Sequence, residues 1–164
     1  TINILIMKNS SIIGLKEADC KKIAEKLNVL LANYSVFYQN TRGAHWNIKG
    51  NQFFTLHPKF EELYNGLVLK IDAIAERILT LGAAPAHNYS EYLKVSTIKE
   101  SSEVSDANKC VEGILASFKI VIDLQRELLD LTEKAGDEGT NSQMSDYITE
   151  QEKEVWMYNA YLAK

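Results

Sequence analysis

From Phe53 to Leu81 an apolar residue returns at nearly every third or fourth position, through Leu56, Phe60, Leu63, Leu67, Ile71, Ile74 and Ile78. That period draws one stripe along an α-helix, and a strand, whose side chains alternate, could not bury the same set on one side. A stripe of about seven turns needs partners of similar length to cover it. The rest of the sequence supplies them. Leu15 to about Arg42 repeats the pattern with Ile23, Leu27, Leu30, Tyr34 and Phe37. About Ser105 to Ala135 does so with Val111, Leu115, Phe118, Ile122 and Leu128, ended by Gly136, and about Thr140 to Ala163 with Met144, Tyr147, Ile148, Val155, Trp156 and Leu162.

Gly43 and the run Asn47 to Asn51 separate the first two segments and place His45 just past the first helix. Pro58 removes a backbone donor and disfavours helical geometry at His57, so the second helix either begins near His57 or kinks there. Between Ala83 and Ser105 lies a long crossover with Pro85 and a small cluster, Tyr89, Tyr92 and Leu93, that can make one or two helical turns. Two helical hairpins joined by one long crossover predict an all-α, ferritin-like four-helix bundle with a short extra helix between the second and third long ones.

Composition fits that plan. With 164 residues, 46% of them hydrophobic and 24% charged, the chain suits a single domain over residues 1–164, with residues 1–14 as an N-terminal extension. Met7-Lys8 reads as a natural start and the first six residues as an addition. The opening Thr1 to Ile6 lacks the basic leader and long apolar region of a signal peptide, and no apolar run approaches the roughly 20 residues of a membrane span. Cys20 and Cys110 are expected as reduced thiols in a cytoplasmic protein.

The chemistry concentrates on the second helix. At about 100° per residue His57, Glu61, Asp72 and Glu76 fall at about 0°, 40°, 60° and 100°, all on one face. His57 and Asp72 are nevertheless about 22 Å apart along the axis, beyond the reach of one ion bonded at about 2 Å. If the same helix of a second copy ran antiparallel across a two-fold axis, 57 with 76 and 61 with 72 would share one midpoint, and two composite sites would form. Gly66 sits beside that midpoint, where a missing side chain lets two backbones approach. His45 can be brought to the same place by the connection. Imidazoles mixed with carboxylates suit Fe(II), Mn(II) or Zn(II). The alternative reading of Glu61, Asp72 and Glu76 is an ordinary solvated face. Trp46 reads either as an electron donor beside an oxidising metal or as a packed interface aromatic. His87, in the crossover, reads as an exposed loop residue, and no Glu-x-x-His pair of the intrachain di-iron type is present. Glu133, Asp137 and Glu138, with Asp146 further on, form an acidic turn that would attract cations if copies of it converged on an axis.

The runs Ala44-His45-Trp46-Asn47-Ile48-Lys49-Gly50, Phe53-Phe54-Thr55-Leu56-His57, Phe60-Glu61-Glu62-Leu63-Tyr64 and Ala75-Glu76-Arg77, then Gly136-Asp137-Glu138-Gly139-Thr140 and Trp156-Met157, together resemble the Dps family, the mini-ferritins named for DNA-binding proteins of starved cells. The resemblance extends from about Leu15 to the C-terminus. It implies a hollow homo-oligomer, a dodecamer, with ferroxidase centres at its two-fold interfaces. The implied ligands are His45, His57 and Glu61 of one chain with Asp72 and Glu76 of its neighbour. Many relatives carry Asp where Glu61 stands. The implied reaction is oxidation of Fe(II) by hydrogen peroxide or oxygen, with storage of a ferric mineral and protection against oxidative stress; zinc is a further candidate for the same site. Glu133 and Glu138 match the three-fold entry pore, and Ser142 stands where some relatives have another acid.

DNA binding is a poor expectation despite the family name. The net charge is −4, Lys8 is the only basic residue among positions 1–14, and after Trp156 only Lys164 remains. Affinity for a duplex comes from clustered Lys and Arg that release phosphate counterions. In EDTA at about 0.15 M salt, where non-specific binding is typically weaker than micromolar, a gel-shift titration should show no retardation of plasmid at sub-micromolar protein.

Overall fold

The computed structural model describes residues 9–163; the Met7-Lys8 start and the opening Thr1 to Ile6 lie outside the described residues. Within them the chain forms α1 (Asn9–Ile12), α2 (Glu17–Asn47), α3 (Phe53–Thr80), α4 (Tyr89–Val95), α5 (Ala107–Ala135) and α6 (Glu138–Leu162). The long helices pair as the hairpins α2 with α3 and α5 with α6, the two hairpins meet through α2 and α5, and α4 rides on α2. This is the all-α bundle with a crossover helix that the apolar periodicity predicts.

The stripes close on one another. Ile23, Leu27, Leu30 and Phe37 of α2, Phe60, Leu67 and Ile74 of α3, Val111, Phe118 and Val121 of α5 and Met144 of α6 are all buried. Phe37 meets Phe118 edge-on at 5.1 Å between centroids. Amid this apolar core sits a closed ring of neutral polar groups. Tyr34 donates to Gln125 Oε1 (2.8 Å), Gln125 Nε2 donates to Gln151 Oε1 (2.8 Å), and Gln151 Nε2 donates back to the Tyr34 hydroxyl. Each member satisfies the next, so three polar groups that are essentially inaccessible to water carry no desolvation deficit.

Two features depart from the sequence expectation. The first long helix does not stop near Arg42 but runs through Gly43 to Asn47, so His45 and Trp46 are helical. Glycine inside a helix costs about 1 kcal/mol relative to alanine, and tertiary contacts outweigh that here: Val104 packs beside Gly43, Asn47 Nδ2 donates to the Gly43 carbonyl (2.8 Å), and Lys49 N–H donates to Ser105 O (3.2 Å). Trp156, placed on the core stripe by its spacing, is instead 66% exposed. α3 begins at Phe53, four residues before His57, and stays helical through Pro58. The missing donor falls in the second turn, while Leu56 and Phe60 on either side are buried and hold the helix on the core.

Three asparagines on α2 fasten the crossover. Asn28 Oδ1 accepts from Ala86 N–H (2.7 Å) and its amide donates to Ala84 O. Asn40 Oδ1 accepts from Ser101 N–H (2.9 Å) and its amide donates to Lys99 O (2.8 Å). Between them the fully buried Asn33 Oδ1 takes Ser96 Oγ, Thr97 N–H (3.0 Å) and Ile98 N–H (3.1 Å). A loop otherwise short of regular hydrogen bonds is thereby ordered. Replacing Asn33 by Ala strands the Thr97 and Ile98 amides, each worth about 1–3 kcal/mol when buried and unpaired, while Ser96 Oγ keeps its bond to the Ile98 carbonyl. Hydrogen exchange should show Thr97 and Ile98 losing protection by about tenfold or more, with the amides of α2 and α5 unchanged.

Candidate metal centre

α2 ends and α3 begins around two histidines that hold each other. His45 Nδ1 donates to the backbone carbonyl of His57 (2.7 Å), and His57 Nδ1 donates to that of His45 (2.8 Å). The rings lie stacked, 3.8 Å between centroids and 16° from parallel. A carbonyl can only accept, so each Nδ1 carries the proton and each Nε2 of the neutral ring presents a lone pair. Among the described residues neither Nε2 has a hydrogen-bond partner. A carbonyl on Nδ1 fixes the tautomer and ring orientation that suit an imidazole to bind a metal through Nε2, and here backbone alone supplies it to both rings.

The surroundings stiffen the pair. Phe53 stacks on His57 (4.7 Å, 20°), and Tyr64 sets its ring against His45 (5.3 Å, 79°) and against Tyr38 (6.0 Å, 84°). The Tyr64 phenol is pushed up from its ordinary pKa, first by partial desolvation and then by the charge of Glu61, so it remains a donor at neutral pH. Arg42 lies over both the Tyr38 ring (5.1 Å) and the Trp46 ring (4.6 Å). Trp46 itself is 57% exposed.

One chain brings together His45 and His57, with Glu61 one helical turn beyond His57 on the same face. It leaves Asp72 and Glu76 far along α3 on the same face, where Glu61, Asp72 and Glu76 are all exposed. Among the described residues no three His, Cys, Asp or Glu side chains of a single chain converge on one ion. The same face carries exposed apolar side chains: Phe54 at 89% exposure, Leu79 at 54% and Val68 at 40%. By helical angle the middle of this face belongs to Asn65 and Val68. Gly66 lies about 180° from His57 and so off the face, and a Cβ built there meets nothing within 4 Å. The close-approach role expected of Gly66 has no support in its position.

On the opposite flank, α3 and α6 enclose Glu62, Glu150 and Glu154 with Lys59 and Lys70. Burial, helped by the charge of Glu150 and opposed by Lys70, pushes the Glu154 carboxyl up to about 7. Lys70 answers with an ion pair to Glu150 at 2.8 Å.

The acidic turn divides into two kinds of carboxylate. Gly136 takes the left-handed conformation (φ 68°) that ends α5, and Asp137 then caps α6 by accepting from Thr140 N–H (3.0 Å) and Thr140 Oγ1 (2.5 Å). Arg77 of α3 closes on the same carboxylate at 2.6 Å and donates from Nε to Thr140 (2.8 Å). Asp137 is 2% exposed and engaged on all sides, so the structure gives it a capping and bridging task distinct from the open carboxylates expected of a cation funnel. Gly139 makes room, since a Cβ there would stand 2.9 Å from Arg77 Nη2. Glu133 and Glu138 remain exposed on the rim of a shallow depression, and Ser142 is exposed one turn on. His87 is exposed in the crossover, and Cys20 and Cys110 are free and buried, with burial the main cause of their raised pKa values, Cys110 to about 11. The role of Arg77 gave no signal in the sequence beyond its place next to Glu76.

Comparisons with known proteins bear on the family and the fold. Residues 24–164 match the ferritin-like domain family. A DNA protection during starvation protein of Porphyromonas gingivalis is 41% identical over 151 residues, covering 92% of this chain and 95% of that one. The chain belongs to the Dps family. A Haemophilus influenzae protein without an assigned function is 57% identical over 148 residues, 90% of this chain and 92% of its own length. The crystal structure of a Vibrio cholerae Dps, described as a member of a broad superfamily of ferritin-like diiron-carboxylate proteins, superposes with a TM-score of 0.91 at 55% identity over 93% of this chain and 96% of that one. Membership in this family supports iron storage at the level of the family.

Arg77→Met tests the tie between α3 and the α5–α6 turn. It leaves a buried carboxylate without its counter-ion, a loss that typically costs about 3–5 kcal/mol. The urea midpoint should fall accordingly, whereas Glu138→Gln on the exposed rim should leave it nearly unchanged.

Proposed function

We propose that this protein oxidises Fe(II) at centres shared between two copies of the chain, with hydrogen peroxide or oxygen as oxidant. It stores the ferric product as mineral inside a hollow homo-oligomeric shell, a dodecamer in the cytoplasm, and so protects against oxidative stress. The observation that carries this reading is the reciprocal His45–His57 pair. It leaves two Nε2 atoms free, with Glu61 one helical turn beyond His57, while the acidic complement, Asp72 and Glu76, lies further along the same helix face, out of reach.

A second copy running antiparallel resolves that separation. Placing His57 opposite Glu76 of the partner subunit places Glu61 opposite the partner's Asp72, and the same register sets Phe54 opposite the partner's Leu79 and Asn65 opposite the partner's Val68. All four pairs share a midpoint between Gly66 and Leu67. The exposed apolar side chains then cover one another at the outer ends, and the ionic pairs lie between them, shielded from bulk water. Each centre receives His45, His57 and Glu61 from one chain and an aspartate and a glutamate from the other, a nitrogen and oxygen set suited to iron and also to zinc. A Dps of Listeria innocua, 30% identical, has been studied in crystals soaked with 10 mM zinc.

The chemistry follows from holding two Fe(II) ions close together. Two Fe(II) give up one electron each, hydrogen peroxide accepts both with two protons, the O–O bond breaks, and two Fe(III) and two waters result. Because both electrons arrive from neighbouring ions, no hydroxyl radical has to leave the centre. Trp46 next to His45 and under Arg42 is placed to serve as a further electron donor. Glu133 and Glu138 guide cations toward an entry pore where three copies meet. The free, buried Cys20 and Cys110 suit a reducing compartment. A role in compacting DNA gains no support from a net charge of −4.

Complementation tests the shared centre. Inactive His57→Ala and Glu76→Ala subunits, dissociated and reassembled together, form mixed dimers in which one centre is doubly damaged and one is whole. With random mixing about a quarter of wild-type centres return by symmetry, measured as fast Fe(II) oxidation. A centre built within one chain could not be restored this way, and no recovery in a verified mixed shell would refute the reading.

A further inference from the structure

Glu61 is the one side chain of the half-site without a rigid support. His45 and His57 are fixed by their backbone bonds and their stack, whereas Glu61 is exposed and turns about three side-chain torsions, so an ion that recruits it must first freeze them. One residue stands next to it with a fixed position and a free donor. Tyr64 stands three residues further along α3, on the surface where side chains at i and i+3 meet, and the Glu61 charge acts on its phenol. Its ring cannot wander, because it is clamped edge-on between His45 at 5.3 Å and Tyr38 at 6.0 Å. The hydroxyl is therefore placed by the same packing that places the histidines.

We propose that Tyr64 is a positioning residue for Glu61: its hydroxyl donates to one carboxylate oxygen and thereby aims the other at the ion held by His45 and His57. The inference rests on the proposed metal centre. A carboxylate has lone pairs on both oxygens, so binding one to a phenol leaves the second fully able to ligate. Outer-shell partners of this kind orient ligands, and their removal typically weakens metal binding about 10- to 100-fold. Tyr64 ties Glu61 to His45 across two helices, and the three donors of the half-site become one preorganised unit.

The test is calorimetric titration of the assembled, iron-free protein with Co(II) under anaerobic conditions, with shell mass followed by light scattering and the visible absorption of bound Co(II) recorded in parallel. Tyr64→Phe keeps the ring and its contacts, so shell mass should hold, while Co(II) affinity falls about tenfold and the absorption band changes with the altered ligand set. In the Glu61→Asp background the carboxylate is one methylene further from the phenol. The same substitution there should change affinity by less than about twofold, the mark of an interaction that runs through the glutamate. Equal losses in both backgrounds, no loss with the native glutamate, or an altered shell mass in Tyr64→Phe would each overturn the role of Tyr64. His57→Ala separates that failure from failure of the centre: wild type that binds no Co(II), or that binds no better than His57→Ala, overturns both readings. Wild-type binding lost in His57→Ala but unchanged in Tyr64→Phe overturns this one alone.

Discussion

Two imidazoles, each donating to the backbone carbonyl of the residue that bears the other, tie the last turn of α2 to the second turn of α3. The bond pair does three things at once. It gives the His45 carbonyl, near the end of α2, a donor that the helix does not supply, fixes both ring tautomers, and orients two nitrogen lone pairs in the same neighbourhood. Phe53, Tyr64 and Tyr38 complete a pile of rings around it. Shifting either helix by one residue would break both bonds together, so the α2–α3 hairpin and the half-site share one geometric requirement.

The bundle interior takes the opposite course. Four-helix bundles of this class commonly build metal sites from carboxylates and histidines in the core. Here the core holds Tyr34, Gln125 and Gln151, three neutral side chains that consume one another's donors and acceptors. Such a ring needs no ion and offers none a compensating charge. The carboxylates Glu61, Asp72 and Glu76 lie instead on the outer face of α3, where a single chain leaves them open to water. Chemistry on that face depends on what covers it, and the exposed Phe54, Val68 and Leu79 show an apolar surface awaiting cover.

A similar division governs the acidic turn. Asp137 is drawn inward by Thr140 and Arg77, and its charge is spent on holding α3, α5 and α6 in register. Glu133 and Glu138 keep their charges outward because the turn is rigid beneath them. Neighbouring acids of like appearance in the sequence thus have unlike duties, and only contacts from a helix sixty residues away tell them apart.

The sequence by itself determined the class of fold, since a period of 3.6 residues sustained over four segments can be buried only by helices packed on helices. It also placed His57, Glu61, Asp72 and Glu76 on one face, because angular position along a helix is arithmetic. What depended on contacts between elements was not legible. Gly43 has the look of a helix end, yet α2 continues because Val104 and Ser105 support its last turn, and this carries His45 onto His57. Trp156 follows Val155 in the sequence but lies about 100° round the helix from it, off the buried stripe, and stays exposed. The clips of Asn28, Asn33 and Asn40, the polar ring at the core and the inward turn of Asp137 are pairings between residues tens of positions apart, and a local period carries no record of them. Local geometry follows from neighbours in the chain; which polar group meets which partner is decided only when the helices have packed.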